Sequence, residues 1–287
     1  MREITAGVVA PAYVNVPLWV AQERGFLERR GLRATERICG TTHGVTNALR
    51  DGAVDIALTA PEGSIADALA GGPLRVVAGL IDRPPLSMIA IPRHRTFGDL
   101  RGGRIGTSSL TEGTRHVAER MLAAHGLRYP ADYDFALEGS HVQRWQALQA
   151  GTIDAALQMI PYDDIAADAG FTNLGPVTEE FALNAVCVHI SAERGTVTAF
   201  LQALAEAAGW FRGHVEEAAA IAAERTSVEP RYALRACHAL ALDGVIPRDL
   251  RSSPGALAAV TGALRSSGLI PPDGPDPVAA AVDYSYR

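Results

Sequence analysis

The sequence predicts an α/β protein made of two similar lobes, each with a mainly parallel β-sheet flanked by helices. Short apolar runs of strand length alternate with amphipathic helical stretches, an order typical of parallel sheets. The helix–glycine–strand window at residues 48–58 recurs at 147–157, and both copies read A-L-x-x-G-x-[V/I]-D-[I/A]-A-L. One copy in each half of the chain indicates a duplicated lobe, with a ligand cleft between the two lobes.

Length and charge narrow the class of protein. The chain has 287 residues, 48% of them hydrophobic, which is enough for roughly two domains with sizeable cores. The formal net charge is −6 and basic residues are scattered, so neither nucleic acid nor an anionic membrane is an expected partner. No apolar run approaches the ~18 residues that span a bilayer, so membrane insertion is not expected either. The oligomeric state stays open.

Residue usage excludes several kinds of chemistry. All 26 basic residues are arginine, which removes the lysine of phosphate-binding loops and every Schiff-base mechanism. We interpret Cys39, Cys187 and Cys237, which lie far apart in the sequence, as small buried hydrophobic residues. No histidine, cysteine or carboxylate cluster has metal-ligand spacing, and no dinucleotide glycine motif follows a strand. No metal or other cofactor is therefore expected.

The first lobe is predicted to begin with a strand at 4–9 and a helix over 17–28, with Pro17 in the first helical turn. Glycine, proline and small polar residues separate the elements that follow. These are strands at 32–39, 54–58 and 74–80 and helices at 45–50 and 64–70.

The second lobe repeats this alternation. It is predicted to contain strands at 104–106, 134–137 and 153–158 and helices at 114–124 and 142–150, with a loop at 159–162. Strand-like segments 86–91 and 184–190 are the expected crossovers, so lobe 1 comprises 1–90 and 187–287 and lobe 2 comprises 91–186. Four Ala- and Leu-rich helices are predicted at 196–211, 214–225, 230–242 and 255–266, before a Pro/Gly-rich loop at 271–277.

Loops that leave the carboxyl ends of strands line the ligand crevice of open α/β sheets. His43 lies in such a loop and would titrate near neutral pH as a hydrogen-bonding group or a general base, unless it is a surface or capping histidine. Glu62 would bind a ligand amine, or cap the helix that follows it. The candidate ligand-binding residues of lobe 1 are Tyr13, Asn15, Thr41, Thr42, His43, Thr59 and Glu62.

The second lobe offers a hydroxyl-rich loop at a helix N-terminus, around Thr107 and Thr114. Hydroxyls and backbone N–H groups at such a place suit a carboxylate, sulfonate or phosphate, although Ser and Thr also serve there as ordinary N-caps. We interpret His116 and Trp145 as structural. The candidate ligand-binding residues of lobe 2 are Ser108, Ser109, Thr111, His141, Gln158 and Tyr162.

Five motifs, in this order, resemble those of a known family. They are P-L-W-V-A-Q-E-R-G-F-L-E-R-R-G-L at 17–32, G-T-T-H-G…L-R-D-G-A-V-D-I-A-L-T at 40–59, F-G-D-L-R-G-G-R-I-G at 97–106, L-Q-A-G-T-I-D-A-A-L at 148–157 with Pro161-Tyr162 after it, and V-T-A-F-L-Q-A-L-A-E-A-A-G-W at 197–210. The chain is similar to type II periplasmic substrate-binding proteins of the nitrate/sulfonate/thiamine-precursor group. This resemblance implies a two-lobed fold that closes on a small polar or anionic organic molecule, most simply for an ABC permease.

The resemblance also leaves an enzyme as the alternative. Fungal thiamine-pyrimidine synthase shares the fold, but its cysteine-rich motif has no match here. Other relatives of the fold are lyases and decarboxylases, so a cytoplasmic lyase, decarboxylase or hydrolase acting on a small cyclic carboxylate is possible, with His43 as acid or base and Glu62 as its partner. A cytoplasmic ligand sensor is a third interpretation.

The start of the sequence bears on the cellular compartment. Residues 1–9 hold no apolar signal-peptide core ahead of a cleavage site. We therefore expect a periplasmic or lipid-anchored protein if a signal peptide was removed, and a cytoplasmic one otherwise.

Overall fold

A computed structural model describes residues 1–242, 244–274 and 276–286. The chain forms two compact units: unit 1 is Met1–Arg83 with Glu180–Arg287, and unit 2 is Pro84–Glu179. Each change of unit falls seven residues before the expected position, at 83/84 instead of 90/91 and at 179/180 instead of 186/187. The reason is that the strand after each change pairs entirely within the sheet of the following unit.

The strands form two sheets. The strands of the described residues are β1 (Arg2–Val8), β2 (Leu32–Ile38), β3 (Ile56–Thr59), β4 (Leu74–Ile81), β5 (Leu86–Ala90), β6 (Gly103–Thr107), β7 (Tyr133–Leu137), β8 (Ala155–Met159), β9 (Thr172–Pro176) and β10 (Asn184–His189). The unit 1 sheet has the order β2-β1-β3-β10-β4, and the unit 2 sheet has the order β7-β6-β8-β5-β9.

The two sheets have the same topology. In unit 1, β1 pairs in parallel with β2 and β3, and in unit 2, β6 pairs in parallel with β7 and β8. The strand that follows each change of unit is antiparallel to its neighbours: β10 lies between β3 and β4, and β5 lies between β8 and β9. The prediction of two α/β units is confirmed, and each sheet is mixed, with two parallel and two antiparallel strand pairings.

Helices flank both sheets. Those of the described residues are α1 (Val16–Glu23), α2 (Thr42–Arg50), α3 (Glu62–Leu69), α4 (Gly113–Ala124), α5 (His141–Ala150), α6 (Tyr162–Asp168), α7 (Arg194–Gly213), α8 (Val215–Thr226), α9 (Pro230–Ala241), α10 (Pro254–Ser266) and α11 (Pro277–Ala281). No helix within residues 1–242, 244–274 and 276–286 has the length and apolar character needed to cross a bilayer.

The aspartate of the repeated window makes the same hydrogen bond in both units. The Asp55 carboxylate accepts a hydrogen bond from the backbone N–H of Thr5 at 2.7 Å. The Asp154 carboxylate accepts one from the backbone N–H of Arg104 at 2.9 Å. Each aspartate lies just before a strand, β3 or β8, and accepts from a backbone N–H of the neighbouring strand, β1 or β6. This shared hydrogen bond explains why the residue recurs.

The glycine of the window ends each helix. Gly52 and Gly151 both have positive φ, at 70° and 67°, a conformation that glycine adopts without steric cost. The next buried residues, Val54 and Ile153, enter the core of their own unit. In unit 2 that core includes Trp145 and Leu148.

Two predictions about local structure are wrong, one for a helix and one for Cys39, and the elements α6, β9 and α11 were not predicted. The helix expected over 17–28 ends at Glu23. Gly25 adopts the left-handed conformation, with φ 66°, and the Phe26 backbone N–H donates to the Ala21 carbonyl, so the helical hydrogen-bond pattern stops there. The segment after residue 158 is not only a loop, since α6 and β9 follow it, and α11 follows the loop expected at 271–277. Cys39 is only partly buried, unlike the other two cysteines.

Candidate functional site

Within each unit, the parallel strands end at one edge of the sheet, here called the carboxyl edge. In unit 1 the loops from this edge lead into α1, α2 and α3, and in unit 2 they lead into α4, α5 and α6. All thirteen predicted ligand-binding residues lie on these loops, on the strand ends or in the first turns of these helices. Ligand binding by any of them stays a prediction.

Two predicted residues of unit 1 stabilise the loop after β1. The buried Asn15 side chain donates from Nδ2 to the Ala10 carbonyl at 2.9 Å, which fixes the entry into α1. The buried Tyr13 hydroxyl lies 3.3 Å from the Thr226 Oγ1 of α8. Both side chains therefore have structural contacts within unit 1.

The N-terminus of α2 holds three predicted residues. Thr41 is the N-cap, and its Oγ1 accepts from the Gly44 backbone N–H at 2.9 Å. The carbonyl of Thr42 accepts from Thr46 Oγ1 at 3.0 Å. His43 is exposed. The loop thus presents a helix N-terminus with a histidine beside it.

Buried oxygen atoms line the rest of this edge. Thr59 is 2% exposed, and within the described part of the chain its Oγ1 has no hydrogen-bond partner. Glu62, 6% exposed, opens α3, and its negative charge adds to burial, the larger cause, in raising the pKa of the Cys187 thiol to about 12. Asn184 is 3% exposed at the start of β10, and no described residue forms a hydrogen bond with its Oδ1. Sequence reasoning missed Asn184, because which strand β10 pairs with is not visible in a local pattern.

In unit 2, the hydroxyls after β6 are engaged with one another. Ser108 Oγ donates to the Glu112 carboxylate. Ser109 Oγ lies 3.0 Å from Thr111 Oγ1 and accepts from the Thr111 backbone N–H at 3.1 Å. Thr107 Oγ1 donates to the Ser109 carbonyl at 3.2 Å. These contacts give the loop a defined shape before any ligand binds.

The structure brings the other three predicted residues of unit 2 together. With its amide oriented to suit both neighbours, Gln158 donates to the His141 carbonyl at 3.1 Å and accepts from the Trp145 backbone N–H at 3.1 Å. The His141 ring meets the Tyr162 ring edge-on, with centroids 5.4 Å apart. Burial, helped by the nearby positive charge of Arg144, lowers the pKa of His141 to about 4.

A buried arginine at this edge was missed. Arg144, 8% exposed, lies in the first turns of α5, and its Nη1 donates to the Gly139 carbonyl at 2.8 Å. Its Nε has no hydrogen-bond partner among the residues that the structure describes. Burial lowers the pKa of Arg144 to about 10, against a smaller opposite effect of the Glu112 carboxylate, so the guanidinium is charged at pH 7. Extending the repeated window three residues toward the N-terminus would have found it, because Val45 holds the matching place.

Two cavities, one in each unit, lie away from these residues. One of about 410 Å³ lies at the opposite edge of the unit 1 sheet, where Arg2, Asp55 and His189 contribute to its lining. One of about 360 Å³ in unit 2 lies between α4 and β9. No predicted site residue lines either cavity. In the described part of the chain, no three His, Cys, Asp or Glu side chains come together as metal ligands would.

Comparison with known protein families decides the family. The model of the family described as NMT1/THI5 like matches residues 14–218, more than two thirds of the chain. The chain belongs to the NMT1/THI5-like family. No curated protein sequence matches this NMT1/THI5-like chain significantly.

Solved structures agree on the fold of this NMT1/THI5-like protein. The alkanesulfonate-binding protein SsuA of Xanthomonas axonopodis pv. citri, bound to MOPS, has a TM-score of 0.79 at 19% identity, covering 98% of each chain. The ligand-binding component of an ABC-type import system from Staphylococcus aureus, with zinc bound, has a TM-score of 0.81 at 13% identity, covering 100% of this chain and 98% of that one. A Candida albicans protein, CA3427, described as having the generic periplasmic binding protein fold, has a TM-score of 0.78 at 16% identity, covering 99% and 97%. The resemblance to a two-lobed periplasmic-binding-protein fold is confirmed.

Proposed function

We propose that this protein is the substrate-binding component of an ABC importer. It binds a small polar or anionic organic molecule in the interlobe cleft that the sequence predicts, acts outside the cytoplasm and delivers its ligand to a membrane permease. Family membership supports this proposal. So do the structural relatives, several of which are named as sulfonate-binding or import-system proteins.

The observation that carries the proposal is the pair of polar carboxyl edges. Each unit places helix N-termini and hydrogen-bonding side chains at the same edge of a sheet with the same topology. In an open α/β sheet this edge is where ligands bind. A binding protein needs only such surfaces and a hinge.

Two measurements test the proposal. Native mass spectrometry of the protein as purified, followed by release and identification of any bound molecule, gives the ligand. Small-angle scattering with that molecule then reports closure, which we expect as a smaller radius of gyration. A protein that carries no small molecule and does not compact with any sulfonate, carboxylate or aminopyrimidine offered would contradict the proposal.

His43 distinguishes transport from catalysis. We expect His43→Ala to weaken ligand binding about tenfold, the size of a lost charge-assisted hydrogen bond, without chemical change in the ligand. His189→Ala, in the same unit but at the opposite edge, is the matched control and leaves affinity unchanged. Turnover that is lost in His43→Ala while affinity is kept would instead favour the enzyme alternative.

A further inference from the structure

The repeated window places Arg144 and Val45 at equivalent positions in the two units. Residues 48–58 match 147–157, so three residues earlier Val45 matches Arg144. The packing matches as well. A Cβ added to Gly7 of β1 would lie 3.3 Å from a Val45 methyl, and one added to Gly106 of β6 would lie 3.6 Å from Arg144 Cδ. The arginine stem therefore lies on its sheet where valine lies in unit 1.

This equivalence shows that the fold does not need a cation there. Val45 is fully buried and fills the same helix–strand contact with an apolar side chain. A buried guanidinium is costly unless it is paired with a negative charge. Since the position works with valine in one unit, the arginine in the other is kept for something besides packing.

The surroundings of Arg144 do not neutralise it at contact distance. Among residues 1–242, 244–274 and 276–286, none forms an ion pair with Arg144, and its Nη1 donates to the neutral Gly139 carbonyl. The negative group whose charge acts on Arg144 is Glu112, and its carboxylate accepts a hydrogen bond from Ser108. His141, the other titratable group beside it, is neutral at pH 7 because burial lowers its pKa to about 4.

The guanidinium lies among the loops of the carboxyl edge. It contacts Gly139 in the loop after β7, and its charge is felt by Glu112 in the loop after β6 and by His141 at the start of α5. The N-termini of α4 and α5 begin at the same place and add positive potential. Every fixed feature except Glu112 thus favours a negative group here.

We propose that Arg144 is the residue of unit 2 that recognises an oxyanion of the ligand, a carboxylate, sulfonate or phosphonate. The planar guanidinium offers N–H donors that suit the oxygens of one acid group, and its buried Nε has no hydrogen-bond partner among the described residues. This inference rests on the proposed function and narrows the ligand to an organic acid. Unit 1, with valine at the matching place, leaves the acid group to unit 2.

Calorimetric titration of the full chain with matched small molecules tests this inference. The probes are propionate, ethanesulfonate and ethylphosphonate, with propionamide as the uncharged analogue and sodium chloride as the ionic-strength control. We expect at least one acid to bind with a Kd of about 1 mM or tighter, a level within reach of a ligand of five or six atoms. Propionamide is expected not to bind.

Three variants assign the effect to Arg144. Arg144→Val, which copies unit 1, is expected to weaken acid binding about a hundredfold, as for loss of one partner of a desolvated charge pair. Arg104→Val removes the same charge from the exposed opposite end of β6 and leaves binding unchanged. Glu112→Gln tightens binding roughly threefold, because it removes the one negative charge nearby. A merely structural Arg144–Glu112 pair would not produce that gain.

Two results would overturn the inference: no acid bound by wild type at 10-fold the expected Kd, or equal acid binding by wild type and Arg144→Val. The ligand found by native mass spectrometry separates this failure from failure of the proposed function. An uncharged bound molecule, kept equally by Arg144→Val, would leave a binding protein in place and remove the oxyanion assignment.

Discussion

The two units use one topology and present different chemistry at the same edge. Both sheets have the same strand arrangement. In both, an aspartate just before β3 or β8 accepts a hydrogen bond from the neighbouring strand: Asp55 from β1 and Asp154 from β6. At the carboxyl edge they differ, since unit 1 has buried oxygen acceptors and Val45, whereas unit 2 has Arg144. Positions that match between the units therefore stabilise the fold, and positions that differ are where ligand recognition is expected.

The largest effect is expected from placing the arginine of unit 2 in unit 1. Val45→Arg puts an uncompensated cation into a fully buried place, and we expect the free energy of unfolding to fall by about 4 kcal/mol. Urea unfolding followed by circular dichroism measures this change. Val45→Met, which is larger but uncharged, separates overpacking from charge and should cost less than half as much. Equal losses for the two variants would remove charge from the explanation.

Acid sensitivity is the next largest difference, and it belongs to unit 2. Burial, followed by the charges of Arg115 and Arg120, lowers the pKa of His116 to about 4, although Glu119 lies 3.8 Å from its Nδ1. Burial prevails because that carboxylate is also paired with Arg115 at 2.8 Å. The unfolded state therefore binds a proton near pH 6.5 that the folded state binds only near pH 4. The contribution of His116 to the free energy of unfolding is unchanged above pH 6.5 and falls by up to about 3 kcal/mol as the pH drops to 4.

Trp145, the one tryptophan of residues 84–179, reports this transition. In a background of Trp19→Phe and Trp210→Phe, its fluorescence should follow the unfolding of unit 2 between pH 4 and pH 7. His116→Gln should flatten the pH dependence, leaving the part that His141 contributes. An unchanged slope in His116→Gln would show that the buried histidine is not its source.

The smallest effect separates the two matching aspartates. The Asp154 carboxylate accepts from the Arg104 backbone N–H and also contacts Arg93 at 2.7 Å and His94 at 3.0 Å. Asp55, by contrast, is exposed to solvent. We expect Asp154→Ala to cost about 2 kcal/mol and Asp55→Ala about 1 kcal/mol, measured by urea unfolding. Asparagine at either place keeps one acceptor and should restore part of the loss. A larger loss for Asp55→Ala would mean that the two units use this residue differently.

Most of the fold could be predicted because its signals are local. Apolar periodicity, left-handed glycines and the repeated window are all visible within stretches of about ten residues. Helix α6 was not predicted because it is short. Pro161 before it and Asp163 in its first turn are nevertheless ordinary signals for the start of a helix. The sheet in which β5 and β10 pair depends on distant strands, so no local pattern indicates it.

The sequence predicts which loops lie at the carboxyl edges, but not every side chain that is found there. The rule that ligands bind at carboxyl edges located the loops, yet it favoured hydroxyls on exposed loops. Arg144 lies within a helix on its buried face, where a local pattern predicts packing, and Asn184 opens a strand whose neighbours lie far away in sequence. Comparing the two copies residue by residue, beyond the window that matches, is the signal that would have found Arg144.

The position of β10 also sets an order of events during synthesis. Unit 2 is one uninterrupted segment, so it can fold as soon as residue 179 has left the ribosome. Unit 1 cannot, because β10 lies between β3 and β4 and both need it as a hydrogen-bonding neighbour. The first 83 residues thus wait, with unpaired strand edges that a chaperone can bind, until about a hundred more residues have been translated. The first 83 residues, although they are translated first, therefore complete their sheet last.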